Sequence, residues 1–172
     1  ENMYWGLGED SVRAMNETGI RGALAEDIRK DFSKPDEFVS EEFLDEYIRV
    51  CNESDKVAVL GSISEEDYDA ARLSKIQKIA EDKGIPVTCH LAENDWRRDI
   101  VEDKFGTTAI DFLYRNGSLG EKVIGSHVVY ASSEEIKQLA ETGTKVVNTP
   151  LCEMKINDGV APVPEMVKAG VN

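Results

Sequence analysis

Histidine is nearly missing from this chain. His90 and His127 are the two among 172 residues, so a site built on three imidazoles is not contained in it. Cysteine is almost as scarce, with Cys51, Cys89 and Cys152 far apart and no CxxC pair. An odd, scattered set argues against a disulfide framework or a thiolate metal site, and a reducing cytoplasm fits it best. No apolar run approaches the roughly 20 residues that span a bilayer, and no signal peptide is recognisable. Positive charge is in deficit: 20 Lys and Arg stand against 34 Asp and Glu, a net charge of −14. That balance disfavours nucleic-acid backbones and anionic membranes as partners. The acids are spread along amphipathic segments rather than gathered in a block, so they read as solubilising.

Several motifs are absent as well. The "GLG" at 6–8 lacks the rest of a dinucleotide fingerprint, and neither GxxxxGK[ST] nor a GxSxG elbow occurs. HxE paired with PCxxC, a known zinc-site signature, is missing too. The opening "ENMYWGLGED" is not an initiator methionine followed by a targeting segment, and it reads as the interior of a longer sequence.

What is present is alternation. Apolar runs at 19–28, 56–63, 85–92, 121–131 and 144–150 read as strands. Between them lie amphipathic stretches. "EEFLDEYIRVC" (41–51) puts Phe43, Leu44, Tyr47, Ile48 and Cys51 on one helical face. The stretch 65–84 turns Ile76, Ile79 and Ala80 inward and ends at Gly84. Residues 106–117 are helical up to Asn116-Gly117, and 132–143 opens on a Ser132/Glu135 capping box and closes on Gly143. A helix over 8–19 leads in, and a short helix in "PVPEMVKAGVN" leads into the start of another strand. The reading is one α/β domain over 1–172 with a parallel sheet and helices outside. Two architectures fit this order: an open doubly wound sheet, or part of a (β/α)8 TIM barrel.

Either architecture places ligands at the C-terminal ends of the strands. The third run ends in His90, with Glu93 just beyond; the fourth carries His127 in "GSHVV"; the fifth ends in Asn148-Thr149-Pro150. A lone histidine in a buried strand is commonly a satisfied core residue, and a glutamate three positions after it is unremarkable in so acidic a chain. Two histidines at one level of neighbouring strands are harder to dismiss. Neutral imidazole is a good donor to zinc or iron, and a carboxylate nearby can move protons to and from water. Catalytic zinc takes about three protein ligands, more than these histidines supply.

The segments "HLAEN", "GSHVVYASSEEIKQLAETGTKVVNTP" and "KINDGVAPVPEMVKAGVN" together resemble the amidohydrolase superfamily. The likeness is to its branch of chlorohydrolases, cytosine deaminases, guanine deaminases and S-adenosylhomocysteine/methylthioadenosine deaminases. It runs from about Met3 to Asn172 and is densest from Pro86 onward. It implies a distorted (β/α)8 barrel, of which this chain would hold about strands three to seven. It also implies a zinc or iron ion. His90 then resembles the family's metal-ligand histidine, Glu93 the proton-shuttling glutamate, and His127 the histidine that contacts the attacking hydroxide. The family's His-x-His pair and its strand-eight aspartate have no counterpart here. Its Gly-Pro-His and Ser-Asn substrate contacts are replaced by "LGSISEEDYD" and by Cys152-Glu153, which leaves the substrate-binding residues unassigned.

The resemblance implies a central fragment of a metal-dependent hydrolase that deaminates a purine- or pyrimidine-like heterocycle. The chain alone is expected to be inactive, to lose its metal, and to self-associate through exposed barrel edges. The alternative is a catalytically dead α/β domain that binds a small molecule or a partner. A flavodoxin-like regulator, with Glu26 and Asp27 as its acidic cluster, is a third reading.

Overall fold

The computed structural model describes residues 8–30, 34, 36–61 and 64–172. The "GLG" glycine at position 6, the start of the resemblance near Met3, and the predicted strand end at Ser62-Ile63 lie outside the described residues. Helix α1 (Gly8–Thr18) precedes strand β1 (Ala23–Asp27). Then follow α2 (Glu41–Glu53), β2 (Val57–Gly61), a 3-10 turn at Glu65–Asp67, α3 (Ala70–Lys83) and β3 (Val87–Leu91). Helices α4 (Asp95–Phe105) and α5 (Ala109–Arg115) lead to β4 (Val123–His127). The described chain closes with α6 (Ser133–Thr142), β5 (Lys145–Val147), α7 (Pro150–Ile156) and α8 (Val163–Ala169).

All five strands pair in parallel, in the order β1-β2-β3-β4-β5. A doubly wound sheet reverses its order at a switch point, and the flavodoxin type runs 2-1-3-4-5. A strictly sequential order is that of a barrel segment, so the open-sheet and flavodoxin-like readings fall away. Asp27, one of the two acids on which the flavodoxin-like reading rested, is buried in an ion pair with Arg29, 2.8 Å away. The two faces of the sheet differ in the same sense. Leu24, Leu60, Cys89 and Leu91 join helix residues such as Leu44, Ile76 and Leu139 in the core. Ala23, Ala25, Val59, Thr88, Ile124 and Val147 instead line a hollow of about 180 Å³ on the other side.

Helix ends are specified locally. Ser132 accepts from the Glu135 amide while Glu135 accepts from the Ser132 amide, the capping box read from the sequence. Gly84 and Gly143 close α3 and α6 in the left-handed region, at φ 72° and 69°, where a side chain is costly. Gly61 is required for another reason. A Cβ there would lie 2.7 Å from the Glu26 carbonyl oxygen, because β1 and β2 run side by side at that level.

The structure differs from the sequence reading at three places. Strands β1, β3, β4 and β5 are each shorter than the apolar run that predicted them. Helix α4 was not foreseen: "DWRRDIVEDKF" buries Val101 alone, so it carries no apolar stripe. Its signals are the caps, with Asn94 accepting from the Arg97 amide and Gly106 left-handed. Helix α7 was not foreseen either. Pro150 at its first position fixes a helical φ, just where the fifth apolar run of the sequence ends. After α8, the Asn172 carbonyl accepts from the Val146 amide at 2.8 Å, so the chain's last residue lies beside β5.

Candidate active site

His90 is the fourth residue of β3, and His127 is the last of β4. In the register Leu91 faces His127 and His90 faces Ser126, so the two rings are neighbours across the sheet. They stack with centroids 5.2 Å apart and planes 18° apart. His90 Nδ1 lies 3.1 Å from His127 Nε2. Two ring nitrogens at that distance need one shared hydrogen, or a cation, between them.

The backbone where both strands end is unusual. Ala92, His127 and Val128 hold positive φ values of 47°, 77° and 52°. Such values cost on the order of 1–3 kcal/mol for residues with side chains, most for a β-branched one, and they cluster at functional sites. Hydrogen bonds hold them: the Val128 amide donates to Leu91 and the Val129 amide to Ala92, both at 2.9 Å. The turn at Ala92 redirects the chain so that Glu93 points back at the histidines. Glu93 is 6% exposed. Its Oε1 lies 3.5 Å from His127 Nε2, and its Oε2 lies 3.9 Å from His90 Nδ1.

Three residues outside the sequence reading surround this cluster. Arg97, in the first turn of α4, forms an ion pair with Glu93 Oε2 and another with Glu66, at 3.1 Å. The Glu93–Arg97 spacing of four was the available signal. Asp158 follows α7, and its amide donates to the Glu153 carbonyl at 3.1 Å. Burial, and then the Glu93 charge, push its carboxyl upward. Beneath the turn, Glu65 is fully buried. Its oxygens lack a hydrogen-bond partner of ordinary geometry. Desolvation pushes its carboxyl up to about 7, against the pull of Arg97 and of the Ala92 and Glu93 amides.

Behind His127 stand Thr149, read from the sequence at the end of the fifth strand, and Glu153, noted there only as a departure from the family pattern. His127 Nδ1 lies 3.2 Å from Glu153 Oε1 and 2.9 Å from Thr149 Oγ1. On the other strand, the buried Tyr68 hydroxyl donates to the His90 carbonyl at 2.9 Å and steadies the end of β3.

The three sequence-predicted residues are therefore brought together. Ligating atoms of His90, Glu93 and His127 all lie within 4.8 Å of one another. Two imidazoles and a carboxylate are a donor set that suits a borderline divalent cation such as zinc or iron. Among the described residues, no helix is long and apolar enough to cross a membrane.

Comparison with known proteins shows the family and the fold. The model of the amidohydrolase family matches residues 8–172. The 5-methylthioadenosine/S-adenosylhomocysteine deaminase of Pyrococcus furiosus is 30% identical over 99% of this chain and 41% of its own length. The 5'-deoxyadenosine deaminase of Methanopyrus kandleri is 34% identical over 58% of this chain and 23% of its own. The chain thus spans well under half the length of these relatives. Among solved structures, an adenosine deaminase from Xanthomonas campestris with bound zinc superposes with a TM-score of 0.80. It shares 19% identity and covers 99% of this chain and 39% of its own. An atrazine chlorohydrolase from Arthrobacter aurescens complexed with zinc gives 0.69 at 20% identity, over 94% of this chain and 38% of its own. At such identities the likeness is one of fold.

Proposed function

The chain belongs to the amidohydrolase family, and from that membership we propose that it is the central part of a barrel that deaminates a purine-like nucleoside by hydrolysis. The observation that carries the reading is the meeting of His90, Glu93 and His127 at the C-terminal ends of β3 and β4, where barrel enzymes do their chemistry. The deaminase names of the relatives favour an adenosine derivative over a chlorinated triazine.

His90 is the residue we assign to a zinc or iron ion, with further donors supplied from outside this chain. Such an ion, when bound, makes water a nucleophile near neutral pH. Glu93 takes the proton from that water as the oxygen adds to the ring carbon bearing the amino group. It then delivers the proton to the departing nitrogen, the carbon–nitrogen bond breaks, and ammonia leaves. The Arg97 ion pair at Oε2 leaves Glu93 Oε1 on the histidine side, suited to that shuttle. His127 orients the attacking oxygen.

By itself the chain offers one family-type metal donor and two barrel edges, so we expect it to be inactive and to associate with a second copy. The free thiols Cys51, Cys89 and Cys152 fit a reducing cytoplasm. Ammonia release from adenosine derivatives by the full reading frame tests the proposal.

A further inference from the structure

We propose that Glu153, seated by Thr149, is a positioning residue that fixes His127 with its proton on Nδ1. The Nε2 electron pair is then aimed at His90 and Glu93. This rests on the reading of His127 as the group that orients the attacking water.

The argument is a count of hydrogens. Glu153 is 2% exposed, among the most deeply buried acids of the described residues. Its Oε1 accepts the Thr149 hydroxyl at 2.8 Å and the Thr149 amide at 3.2 Å. An oxygen that already takes two donors acts as an acceptor, and ionised carboxylates only accept. The Thr149 hydroxyl has one hydrogen, and it is given to Glu153. Neither neighbour of His127 Nδ1 therefore has a hydrogen left for it, so the ring supplies the hydrogen of both contacts, at 3.2 and 2.9 Å.

The consequence passes to the second ring. With Nδ1 protonated, neutral His127 has an acceptor at Nε2. The hydrogen of the 3.1 Å contact then comes from His90 Nδ1, which places the His90 electron pair on Nε2. One buried carboxylate thus sets the tautomer of both histidines, as outer partners of metal-site histidines commonly do. The local fold serves this arrangement. Thr149 caps α7, and the Glu153 amide donates to the Thr149 carbonyl at 3.1 Å. The side chain four residues on is thereby turned back over the cap and onto the ring.

Nitrogen NMR of the imidazoles tests this on the 172-residue chain, which has two histidines to resolve. The spectra are recorded at mildly alkaline pH. Wild type is expected to show a protonated Nδ1 and an unprotonated Nε2 on each. Glu153→Leu removes the acceptor and releases the Thr149 hydroxyl to donate to Nδ1, so the His127 pattern reverses. Glu153→Gln keeps an acceptor in place and keeps the wild-type pattern. Wild-type His127 protonated at Nε2 overturns the proposal, as does an unchanged pattern in a folded Glu153→Leu chain. If that variant does not fold, the wild-type spectrum decides by itself. In the full reading frame, Glu153→Leu lowers kcat about 10–100-fold, with KM moving far less. A wild-type protein that releases no ammonia but shows Nδ1 protonation would sink the deaminase reading and leave the positioning role standing.

Discussion

His90 Nδ1 and His127 Nε2 lie 3.1 Å apart although they are 37 positions apart in the chain. The parallel register of β3 and β4 creates this contact, because the two strands end one residue out of step at the histidines. Glu93 joins them only because Ala92 turns the chain back. A change that straightens Ala92 therefore separates the proton carrier from the pair.

The metal is the first consequence. In the chain alone, Glu93 is held by Arg97 and His127 by Glu153, so both are engaged with partners other than a metal. The 172-residue chain loaded with zinc is expected to give it up to a chelator, while the full reading frame keeps about one equivalent. His90→Ala in the full protein lowers that content by most of an equivalent, read by elemental analysis. Stoichiometric zinc retained by the chain alone would mean that His90, Glu93 and His127 suffice.

The buried Glu65 makes stability depend on pH. Its ordinary value is 4.5 and its folded value about 7, through desolvation. The folded state therefore holds a proton that the unfolded chain has lost between these values, and stability falls as pH rises. The contribution is complete below pH 4.5 and gone above about 7. Its size is on the order of 3 kcal/mol. Glu65→Gln, neutral at every pH, removes this slope. Urea midpoints at about pH 5 and about pH 8 converge in the variant and stay apart in wild type.

Association follows from the sheet. Among the described residues β1 pairs with β2 alone, and Val57 and Val147 are exposed large apolar residues on strands. An unpaired strand edge beside an apolar hollow favours pairing with another copy. Sedimentation velocity is expected to show dimers or larger species that dissociate on dilution. A single sharp boundary at 19.1 kDa across concentrations contradicts this.

Much of this was legible in the residues. Five apolar runs alternating with amphipathic stretches predicted the parallel sheet, and the caps at Ser132, Gly84 and Gly143 fell where their chemistry required. Sheet order was not legible, because the same alternation serves a barrel and a doubly wound sheet. Helix α4 escaped because it lies mostly in solvent and buries one valine. His90, Glu93 and His127 stood out because histidine is so rare here. Glu153 and Asp158 did not, since 34 acidic residues hide the few that are buried. Only tertiary structure separates a carboxylate facing Nδ1 of His127 from one facing water.

The most direct test of the proposed chemistry is ammonia release by the zinc-loaded full reading frame. The substrates are adenosine, 5'-methylthioadenosine and S-adenosylhomocysteine, with wild type and Glu93→Gln compared side by side. The account predicts release from at least one of them, and a kcat lowered by about 10²–10⁴-fold in the folded, metal-replete variant. No ammonia from the folded, metal-replete wild type, or a Glu93→Gln protein as fast as wild type, would contradict it.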